Sequence, residues 1–412
     1  MRDDVVELRF DEMAPEMQAL IAYAPNHAYD VEDSQTLLEH VLREASVVRW
    51  EMGVGFFSMD DVIAAARNPA IVSANPATGV PQGMGSREPL IPLHIDGERH
   101  RNARKLLDPL LAPKMVAPVA IEVKKLANEL IDDFVGDGRA ELHDAFCVPL
   151  PSTIFLRLFG MPAEDSEFLI TAKDRILNNE GATFEEKERL GVEAGDGLRA
   201  RLRARIDERH REPIARDDWI GRFMTFEVDG DRLSDDDLVN IMHLFTIAGL
   251  DTVTSSLSCI IARFATHPDE RARVIAEPSQ LPAAIEELMR FESPVPGGGA
   301  RWATEDTEVN GVPVRAGDMV YLCWATANLD PRAFERPLAV ELGRSPNRHI
   351  AFAAGTHRCL GSHLARVELR AAIEQLHERI PDYWVTPGDA IAYESHGVRQ
   401  ACRLPLSFRA AG

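Results

Sequence analysis

Several features are missing from this chain of 412 residues, and each absence excludes a class of protein. No stretch approaches about 18 uninterrupted apolar residues, so we expect no membrane-spanning helix. The opening residues, MRDDVVELRFDEMAPE, are charged from the second position, so we expect no secretory leader and a cytoplasmic protein. Repeats, low-complexity tracts and Pro/Ser-rich linkers are also missing, which favours one domain over residues 1–412.

Basic residues are fewer than acidic ones, and the cysteines lack the spacing of metal-binding motifs. The chain has 45 Lys and Arg against 66 Asp and Glu, a formal net charge of −21, so we expect no nucleic-acid partner. The cysteines, at positions 147, 259, 323, 359 and 402, show no CxxC or CxxH spacing. This argues against zinc sites and disulfide frameworks, and most of these thiols should be inert members of the core.

Helical periodicity is what the sequence has in abundance. It predicts helices over 33–46, 59–67, 97–111, 114–135, 164–179, 184–210, 235–266, 268–276, 281–291 and 360–379. Strand-like segments are short, at 47–51, 54–58, 307–310, 312–314, 318–322 and 398–408, and Asn310-Gly311 predicts a hairpin. We therefore predict a mainly α protein with a smaller β region. The stretches 68–96 and 323–358 are too long for connections and should help to build a site.

One cysteine lies in an unusual setting, FAAGTHRCLGSHLARVEL at 352–369. Leu360, Leu364, Val367 and Ala371 follow Cys359 at helical spacing and predict one buried face, so the cysteine lies at a helix N-terminus. Backbone N–H groups and the helix dipole favour a thiolate there. From these residues alone, a structural thiol and a cysteine nucleophile both remain open, the latter with His357 or His363 as base.

The spacing Phe352-x-x-Gly355-x-His357-x-Cys359-x-Gly361 closely resembles the haem-binding loop of the cytochrome P450 family. The resemblance implies that Cys359 is the axial thiolate ligand of a haem b iron. It also implies that Phe352 packs beside the sulfur and that Gly355 and Gly361 shape the loop, by positive φ or close backbone approach. Ala353 is a departure, because glycine is usual at that position.

A second segment, IAGLDTVTS at 247–255, lies inside the longest apolar helix. By itself it predicts a kinked core helix, in which Thr252 bonds to the carbonyl of Ala248 and opens the helix locally. It resembles the family's Ala-Gly-x-Asp-Thr segment, which implies that Ala248 and Gly249 cross over the haem. Activation of O2 requires two protons, and the resemblance assigns Thr252 as the proton-delivering alcohol and Asp251 as the acid that links it to solvent.

The segment EELMR places Glu287 and Arg290 three residues apart on one helix face. Such a pair is usually a weak surface interaction. The resemblance to the family's Glu-x-x-Arg helix implies instead a buried pair, completed by Arg344, which supports the region of the haem loop. We expect poor haem retention in Glu287→Ala or Arg290→Ala.

The haem propionates need cationic partners. In HIDGERHRNARKLL at 94–107, His100 and Arg104 stand one helical turn apart, where a solvated basic face is the ordinary interpretation. The family's His-x-x-x-Arg pair implies propionate contacts for both, with Arg301 and His357 completing the set. The usual Asp-Pro-Pro-Glu helix start is Asp96-Gly97-Glu98 here, so the start of this helix can differ.

The resemblance covers almost the whole chain and implies the roughly triangular P450 fold, with the haem between the long central helix and the Cys-loop helix. It implies a monomeric monooxygenase that inserts one atom of O2 into a hydrophobic terpenoid, steroid or aromatic compound. The expected pocket positions are Leu244, Ile247, Ala248, Thr252, Val295 and the turn from Ser395 to Val398. His243 and Glu88 are candidates for a polar contact, although both are more often solvent-facing or satisfied in the core.

A chain of this length leaves no room for a fused reductase, so electrons should come from a separate ferredoxin or flavodoxin. Such carriers are typically acidic, and a local basic patch is therefore needed on this acidic protein. We expect docking near Arg101, Lys105 and Arg358, with Arg366 nearby. A peroxygenase, a haem gas sensor and a haem-free cysteine hydrolase remain as alternatives; the first would lack the Asp251–Thr252 pair.

Overall fold

The structure is a computed structural model that describes residues 4–13, 17–18, 33–74, 84–177, 179, 181, 183–212, 218–225, 227–228, 231–395 and 398–409. The α-helices are α1 Ser34–Glu44, α2 Met59–Arg67, α3 Gly97–Leu107, α4 Pro113–Val116, α5 Val119–Asp132, α6 Pro149–Phe159, α7 Asp165–Leu177, α8 Phe184–Arg211, α9 Trp219–Thr225, α10 Asp235–Thr266, α11 Pro268–Ala276, α12 Leu281–Glu292, α13 Trp324–Asn328 and α14 Ser362–Arg379.

The β-strands are short. They are β1 Val5–Glu7, β2 Val47–Trp50, β3 Gly53–Phe56, β4 Ile71–Val72, β5 Arg139–Glu141, β6 Glu227–Val228, β7 Asp231–Arg232, β8 Gly297–Ala303, β9 Thr307–Val309, β10 Val312–Val314, β11 Met319–Cys323, β12 Asp382–Val385, β13 Ala392–Ser395, β14 Arg399–Arg403 and β15 Pro405–Arg409. The mainly helical fold with a smaller β region is confirmed.

The chain divides into two compact units. The first contains residues 1–72, 119–147 and 252–412, and the second contains residues 73–118 and 148–251. The single-domain organisation expected from the sequence stays a prediction.

Most of the β structure belongs to the first unit. A six-stranded sheet has the order β1-β2-β3-β11-β8-β4, and a three-stranded sheet has the order β12-β15-β5. The predicted hairpin is present as the antiparallel pair β9–β10, with positive φ at Asn310 (46°) and Gly311 (84°). Both values suit the tight two-residue turn that the Asn-Gly sequence favours. Helix α14 packs against α5 in the same unit.

The second unit is almost entirely helical, and an aromatic cluster forms part of its core. The rings of Phe155 and Phe159 stack at 4.4 Å, and Phe159 meets Trp219 edge-on at 5.2 Å. Phe223 and Phe245 close the cluster with further edge-on contacts. Such aromatic contacts add to the stabilisation from simple burial, and they join α6, α9 and α10.

Helix α10 is the one helix among the described residues that is long and apolar enough to cross a membrane by length and composition. Its most apolar 18-residue window has a mean hydropathy of 1.5, but 78% of that window is buried inside the protein. A buried core helix meets the same criterion, and the burial favours this interpretation. The cytoplasmic location stays a prediction.

Several element predictions need correction. The helix expected over 114–135 is divided into α4 and α5 around Pro118, and the one over 97–111 ends at Leu107, followed by a 3-10 helix through Pro109. The strand expected over 398–408 is two strands, β14 and β15. The sequence reading missed further elements, α6, α9, α13, β5, β8 and β12 among them.

Candidate active site

The cysteine loop turns sharply before α14. The amide of Cys359 donates to the carbonyl of Phe352 at 2.9 Å, and that of Arg358 donates to Gly355 at 3.2 Å. Gly355 has a φ of 73° and Ala353 a φ of 59°, so two residues of this loop lie in the left-handed region. The turn leaves Cys359 exposed, whereas Cys147, Cys259 and Cys323 are buried.

Glycine is suited to positions 355 and 361 of the cysteine loop for different structural reasons. A Cβ on Gly355 would lie 2.1 Å from the carbonyl oxygen of Ala66 at the end of α2, so this glycine permits a backbone-to-backbone approach. Gly361 has a φ of −80° and needs no positive φ. A Cβ there would have no atom within 4 Å, which leaves room for a flat group beside the loop.

Cys359 lies two residues before Gly361, the N-cap of α14. The sulfur is therefore at the helix start, where the dipole favours a thiolate. The expected buried face of this helix needs correction, because Leu360, Leu364 and Val367 are only half-buried. The residues of α14 that are fully buried include Leu369, Ala372, Ile373 and Leu376, all in its later turns.

A carboxylate that sequence reasoning missed binds Arg366, the side chain that lies against Phe352. Glu286 of α12 accepts hydrogen bonds from Arg366 at 2.6 and 2.7 Å and from His349 at 2.9 Å. The Arg366 guanidinium lies 4.2 Å from the centre of the Phe352 ring. Burial alone would raise the pKa of Glu286, but His349 and Arg366 outweigh it and lower that pKa to about 2. Arg366 is therefore paired with Glu286, and its place near a docking patch stays a prediction.

The next residue of α12 organises the expected triad. Glu287 and Arg290 are fully buried and form two hydrogen bonds of 2.8 and 2.9 Å, and Arg344 donates to Glu287 at 3.0 Å. Arg290 also donates to the carbonyls of Asn328, Pro337 and Ala339. Burial opposes ionisation of Glu287, but these donors lower its pKa below the ordinary value. The contacts of Glu287 therefore join α12 to the segment that leads into the cysteine loop.

Helix α10 stays α-helical through residues 247–255, so the expected local opening at Thr252 does not interrupt the helix. Ala248 is exposed and Gly249 is half-buried, although Ile247 and Leu250 beside them are buried. A Cβ on Gly249 would have no atom within 4 Å. The small residues thus leave an open surface in the middle of a core helix. Ser256 donates to the carbonyl of Thr252 at 2.7 Å.

The acid of this motif has a cationic partner that is largely shielded from solvent. Lys173 of α7 lies 2.8 Å from Asp251 and 2.7 Å from Asp174. Burial alone would lower the pKa of Lys173, but the two carboxylates outweigh it and raise that pKa above its ordinary value. Lys173 therefore stays charged. No sequence signal connects it with Asp251, since 78 residues separate them.

The expected propionate partners are distributed over both units. In the second unit, His100 is buried and Arg104 forms an ion pair of 2.7 Å with Asp108. Asp96, the N-cap residue of α3, makes no cap hydrogen bond and instead accepts from the amide of Ser73 at 2.9 Å. The start of this helix thus differs from the family pattern, with Gly97 at a φ of 60°.

In the first unit, Arg301 is buried in the middle of β8 and His357 is half-buried in the cysteine loop. The glycines before Arg301 have a packing reason. A Cβ on Gly297 would lie 2.2 Å from the Tyr321 hydroxyl, and one on Gly298 would lie 2.5 Å from the Trp324 ring. These glycines therefore allow the strand to pass close to two large aromatic side chains.

The expected pocket positions are partly described. In the second unit, Leu244 and Ile247 are buried on α10. In the first unit, Val295 and Val398 are half-buried, and the amide of Arg399 joins their two turns by donating to Pro294 at 2.7 Å. The side chain of Ser395 and residues 396–397 lie outside the described part of the chain. Of the expected docking residues, Arg101, Lys105 and Arg358 are exposed.

The sequence model of the Cytochrome P450 family matches residues 91–379 of this chain. The chain belongs to the cytochrome P450 family. This P450 is 33% identical over 319 residues to pentalenic acid synthase of Streptomyces avermitilis, covering 77% of each chain. It is 31% identical over 333 residues to the steroid C26-monooxygenase of Mycobacterium tuberculosis H37Rv, covering 80% of this P450 and 81% of the relative.

A solved structure shows the same fold. CYP109E1 from Bacillus megaterium, in complex with corticosterone, superimposes with a TM-score of 0.79 at 26% identity. The match covers 91% of this P450 and 98% of that chain. The protein is therefore a P450 monooxygenase with haem b as cofactor.

The residues present fit that cofactor. An exposed cysteine at a helix start supplies the sulfur ligand that a P450 haem requires. Gly361 would leave room for a flat porphyrin beside the cysteine loop, and Arg301 would supply a buried cation of the kind that propionates need. When bound, the haem supplies the capacity to activate O2.

Proposed function

We propose that this P450 inserts one oxygen atom from O2 into a hydrophobic small molecule of the terpenoid, steroid or aromatic type, with electrons from a ferredoxin and its reductase. The observation that carries the substrate class is the apolar character of the expected pocket positions. Leu244 and Ile247 are buried on α10, and Val295 and Val398 stand on two joined turns. A relative named for steroid oxidation and the corticosterone complex of another P450 support the same class.

The proposed proton path uses two neighbouring residues of α10. Thr252 offers a hydroxyl, and Asp251 is a buried acid whose contact with Lys173 keeps a cation beside it. When its carboxylate leaves Lys173, Asp251 takes a proton from solvent and passes it to the Thr252 hydroxyl, which gives up its own proton in turn. The ion pair thereby regulates the supply of protons, because the acid cannot serve both partners at once.

Electron delivery is proposed to occur at exposed cations. Arg101 and Lys105 lie one turn apart on α3, and Arg358 directly precedes the cysteine. An acidic ferredoxin would be attracted to such charges, and the attraction would weaken with salt.

Turnover of the haem-loaded protein tests the proposal. A band at about 450 nm in the CO-difference spectrum of the reduced protein reports thiolate ligation by Cys359. Terpenoids, steroids and aromatics are then screened for a high-spin shift, and the best binders are incubated with a ferredoxin, its reductase and NAD(P)H. Oxygenated product that requires the reductase supports the proposal. Product formed only with H2O2 would identify a peroxygenase, and binding without product would identify a sensor.

The role of Lys173 can be separated from that of the haem. Lys173→Met removes the counter-charge of Asp251, so the pH profile of product formation should move to higher pH. Lys173→Arg keeps the charge and should keep the profile. Identical profiles for wild type and Lys173→Met would contradict the relay.

The docking residues are tested by charge reversal. Arg101→Glu and Lys105→Glu should slow ferredoxin-dependent reduction about tenfold at low salt, with a smaller difference at high salt. Lys125→Glu reverses another exposed cation, on α5, and serves as the control. Equal reduction rates in all of these variants would contradict the assignment.

A further inference from the structure

A buried histidine of the second unit has one ring nitrogen without a hydrogen-bond partner in the part of the chain that the structure describes. His243 of α10 is fully buried, and its Nε2 lies 2.8 Å from the carbonyl oxygen of Met84. A carbonyl can only accept, so Nε2 carries the hydrogen of the neutral ring and Nδ1 presents a lone pair. Nδ1 is buried and has no hydrogen-bond partner among the described residues.

The position of the Met84 carbonyl is fixed by close backbone packing. Gly85 has a φ of 63°, and a Cβ on it would lie 2.8 Å from the carbonyl of Gly191 in α8. A Cβ on Gly195 would lie only 1.6 Å from the carbonyl oxygen of Gly85. Gly85 and Gly195 thus let the backbone at residues 84–85 lie directly on α8, and the tautomer of His243 follows from that contact.

Glu88 holds the same segment a few residues further on. Its carboxylate accepts from Arg199 of α8 at 3.0 Å and from Asn240 of α10 at 3.4 Å. The segment 84–88 is therefore tied to both helices, and His243 has little freedom to turn its Nδ1 elsewhere.

The charge state of the ring follows from its surroundings. Burial lowers the pKa of His243 to about 4, and the nearby positive charge of Arg199 contributes while the Met84 carbonyl and Asp196 oppose the shift. The ring is neutral at pH 7, so Nδ1 is an acceptor. A buried acceptor without a donor is destabilising, which makes this nitrogen a ready partner for a donor brought by a ligand.

We propose that Nδ1 of His243 accepts a hydrogen bond from a hydroxyl or N–H group of the bound substrate. His243 precedes Leu244 and lies one helical turn before Ile247, so the inference rests on the proposed pocket on α10. The substrate is then an apolar molecule that carries a hydrogen-bond donor, and a ketone at the same position is rejected because two acceptors would face each other.

The test compares alcohols with their matching ketones in the haem-loaded wild type. Menthol and menthone, cholestanol and cholestanone, and testosterone and androstenedione are titrated by the ligand-induced spectral shift. We expect at least one alcohol to bind about tenfold more tightly than its ketone. If no alcohol binds with a threefold advantage, or none binds, the inference is overturned.

Variants connect the preference to His243. His243→Phe keeps an aromatic ring without the acceptor and should abolish the preference, whereas His243→Gln keeps a donor and an acceptor and should retain it. Gly195→Ala should weaken the preference by displacing the Met84 carbonyl. Gly197→Ala is the control on the same helix, because a Cβ there would have no atom within 4 Å.

A measurement on the wild type keeps the inference testable if these variants do not retain haem. In the CO-bound protein labelled with ¹⁵N-histidine, the preferred alcohol should shift the Nδ1 resonance of His243 and the ketone should not. An unchanged resonance would overturn the inference and identify a purely structural histidine. Because the 450 nm band and reductase-dependent product formation are read separately, failure of the proposed function is distinguishable from failure at His243.

Discussion

Ala353 stands in the cysteine loop where the family usually has glycine, and its backbone conformation has a steric cost. Its φ of 59° places an alanine in the left-handed region, where a Cβ crowds the following carbonyl. The family resemblance identified this position as one where glycine is usual, and the backbone conformation gives the physical reason. The loop keeps its shape because the amide of Ala353 bonds to Ile350 and that of Cys359 bonds to Phe352.

We expect Ala353→Gly to stabilise the haem-loaded protein by about 1 kcal/mol, because glycine adopts positive φ without the steric cost. Denaturant unfolding followed at the haem band measures the change. Ala354→Gly is the matched control, since the neighbouring alanine has no positive φ. That variant should lose stability through the added freedom of the unfolded chain. If Ala353→Gly lowered the free energy of unfolding as much as the control does, the backbone of Ala353 would not be strained.

Helix α12 is the element on which the support of the cysteine loop depends. Two consecutive glutamates each hold a separate pair of basic side chains. Glu286 holds His349 and Arg366, which precede and follow the loop, and Glu287 holds Arg290 of its own helix and Arg344. The triad of Glu287 was predictable because Glu-x-x-Arg has a recognisable spacing. The contacts of Glu286 were not, since Arg366 is 80 residues away and its helix face depends on the tertiary fold.

Glu287→Gln leaves Arg290 and Arg344 with no carboxylate in a buried site. We expect a loss of about 3–5 kcal/mol in the free energy of unfolding and poor haem retention. The haem-to-protein absorbance ratio and thermal unfolding report both effects. Glu39→Gln in α1, which removes the partner of the exposed Arg43, should cost less than about 1 kcal/mol. A fully loaded Glu287→Gln protein of wild-type stability would show that the triad has no such role.

Elements were predictable from the sequence where one physical signal dominates. Asn310-Gly311 specified a turn because few other residues adopt positive φ, and α10 was predicted over its observed length because its apolar pattern is long. Helix α6 was missed because prolines occupy its first turn and apolar residues surround it, although proline is tolerated there. Strand β8 was missed because its glycines fit only against Tyr321 and Trp324, which come from distant sequence.

At the scale of the whole molecule, the acid side of the stability profile is set partly by buried histidines. Burial and the charge of Arg271 lower the pKa of His377 to about 3, and its Nε2 lies 3.0 Å from the Tyr383 hydroxyl. The unfolded chain binds a proton at this residue below about pH 6.5, whereas the folded chain does not until about pH 3. Stability should therefore fall as the pH decreases through this range.

Urea unfolding between pH 7 and pH 5 measures the effect. We expect His377→Gln to reduce the slope of stability against pH by up to about 1.4 kcal/mol per pH unit, the value for one proton. His40→Gln changes an exposed histidine of α1 and should leave the slope unaltered. Equal slopes in wild type and His377→Gln would refute the assignment.

A buried carboxyl acts on the alkaline side. Glu368 of α14 is buried, and burial raises its pKa to about 8. The unfolded chain loses this proton near pH 4.5, so stability should fall as the pH rises from there towards 8. Glu368→Gln removes that decline and should be more stable than wild type at pH 8, whereas Glu378→Gln, on an exposed side of the same helix, should not. The comparison uses unfolding at pH 6 and pH 8.

The exposure of Cys359 has a consequence for the chain before it receives its cofactor. Cys147, Cys259 and Cys323 are buried and Cys402 is partly buried, so Cys359 is the sulfur most accessible to oxidants and electrophiles. Haem insertion therefore competes with irreversible oxidation or alkylation of the same atom. Iodoacetamide should add a single carbamidomethyl group per cofactor-free chain and none per loaded chain. Intact-mass spectrometry then measures the fraction of chains whose Cys359 is unmodified and can still bind haem. The haem absorbance alone does not report this fraction.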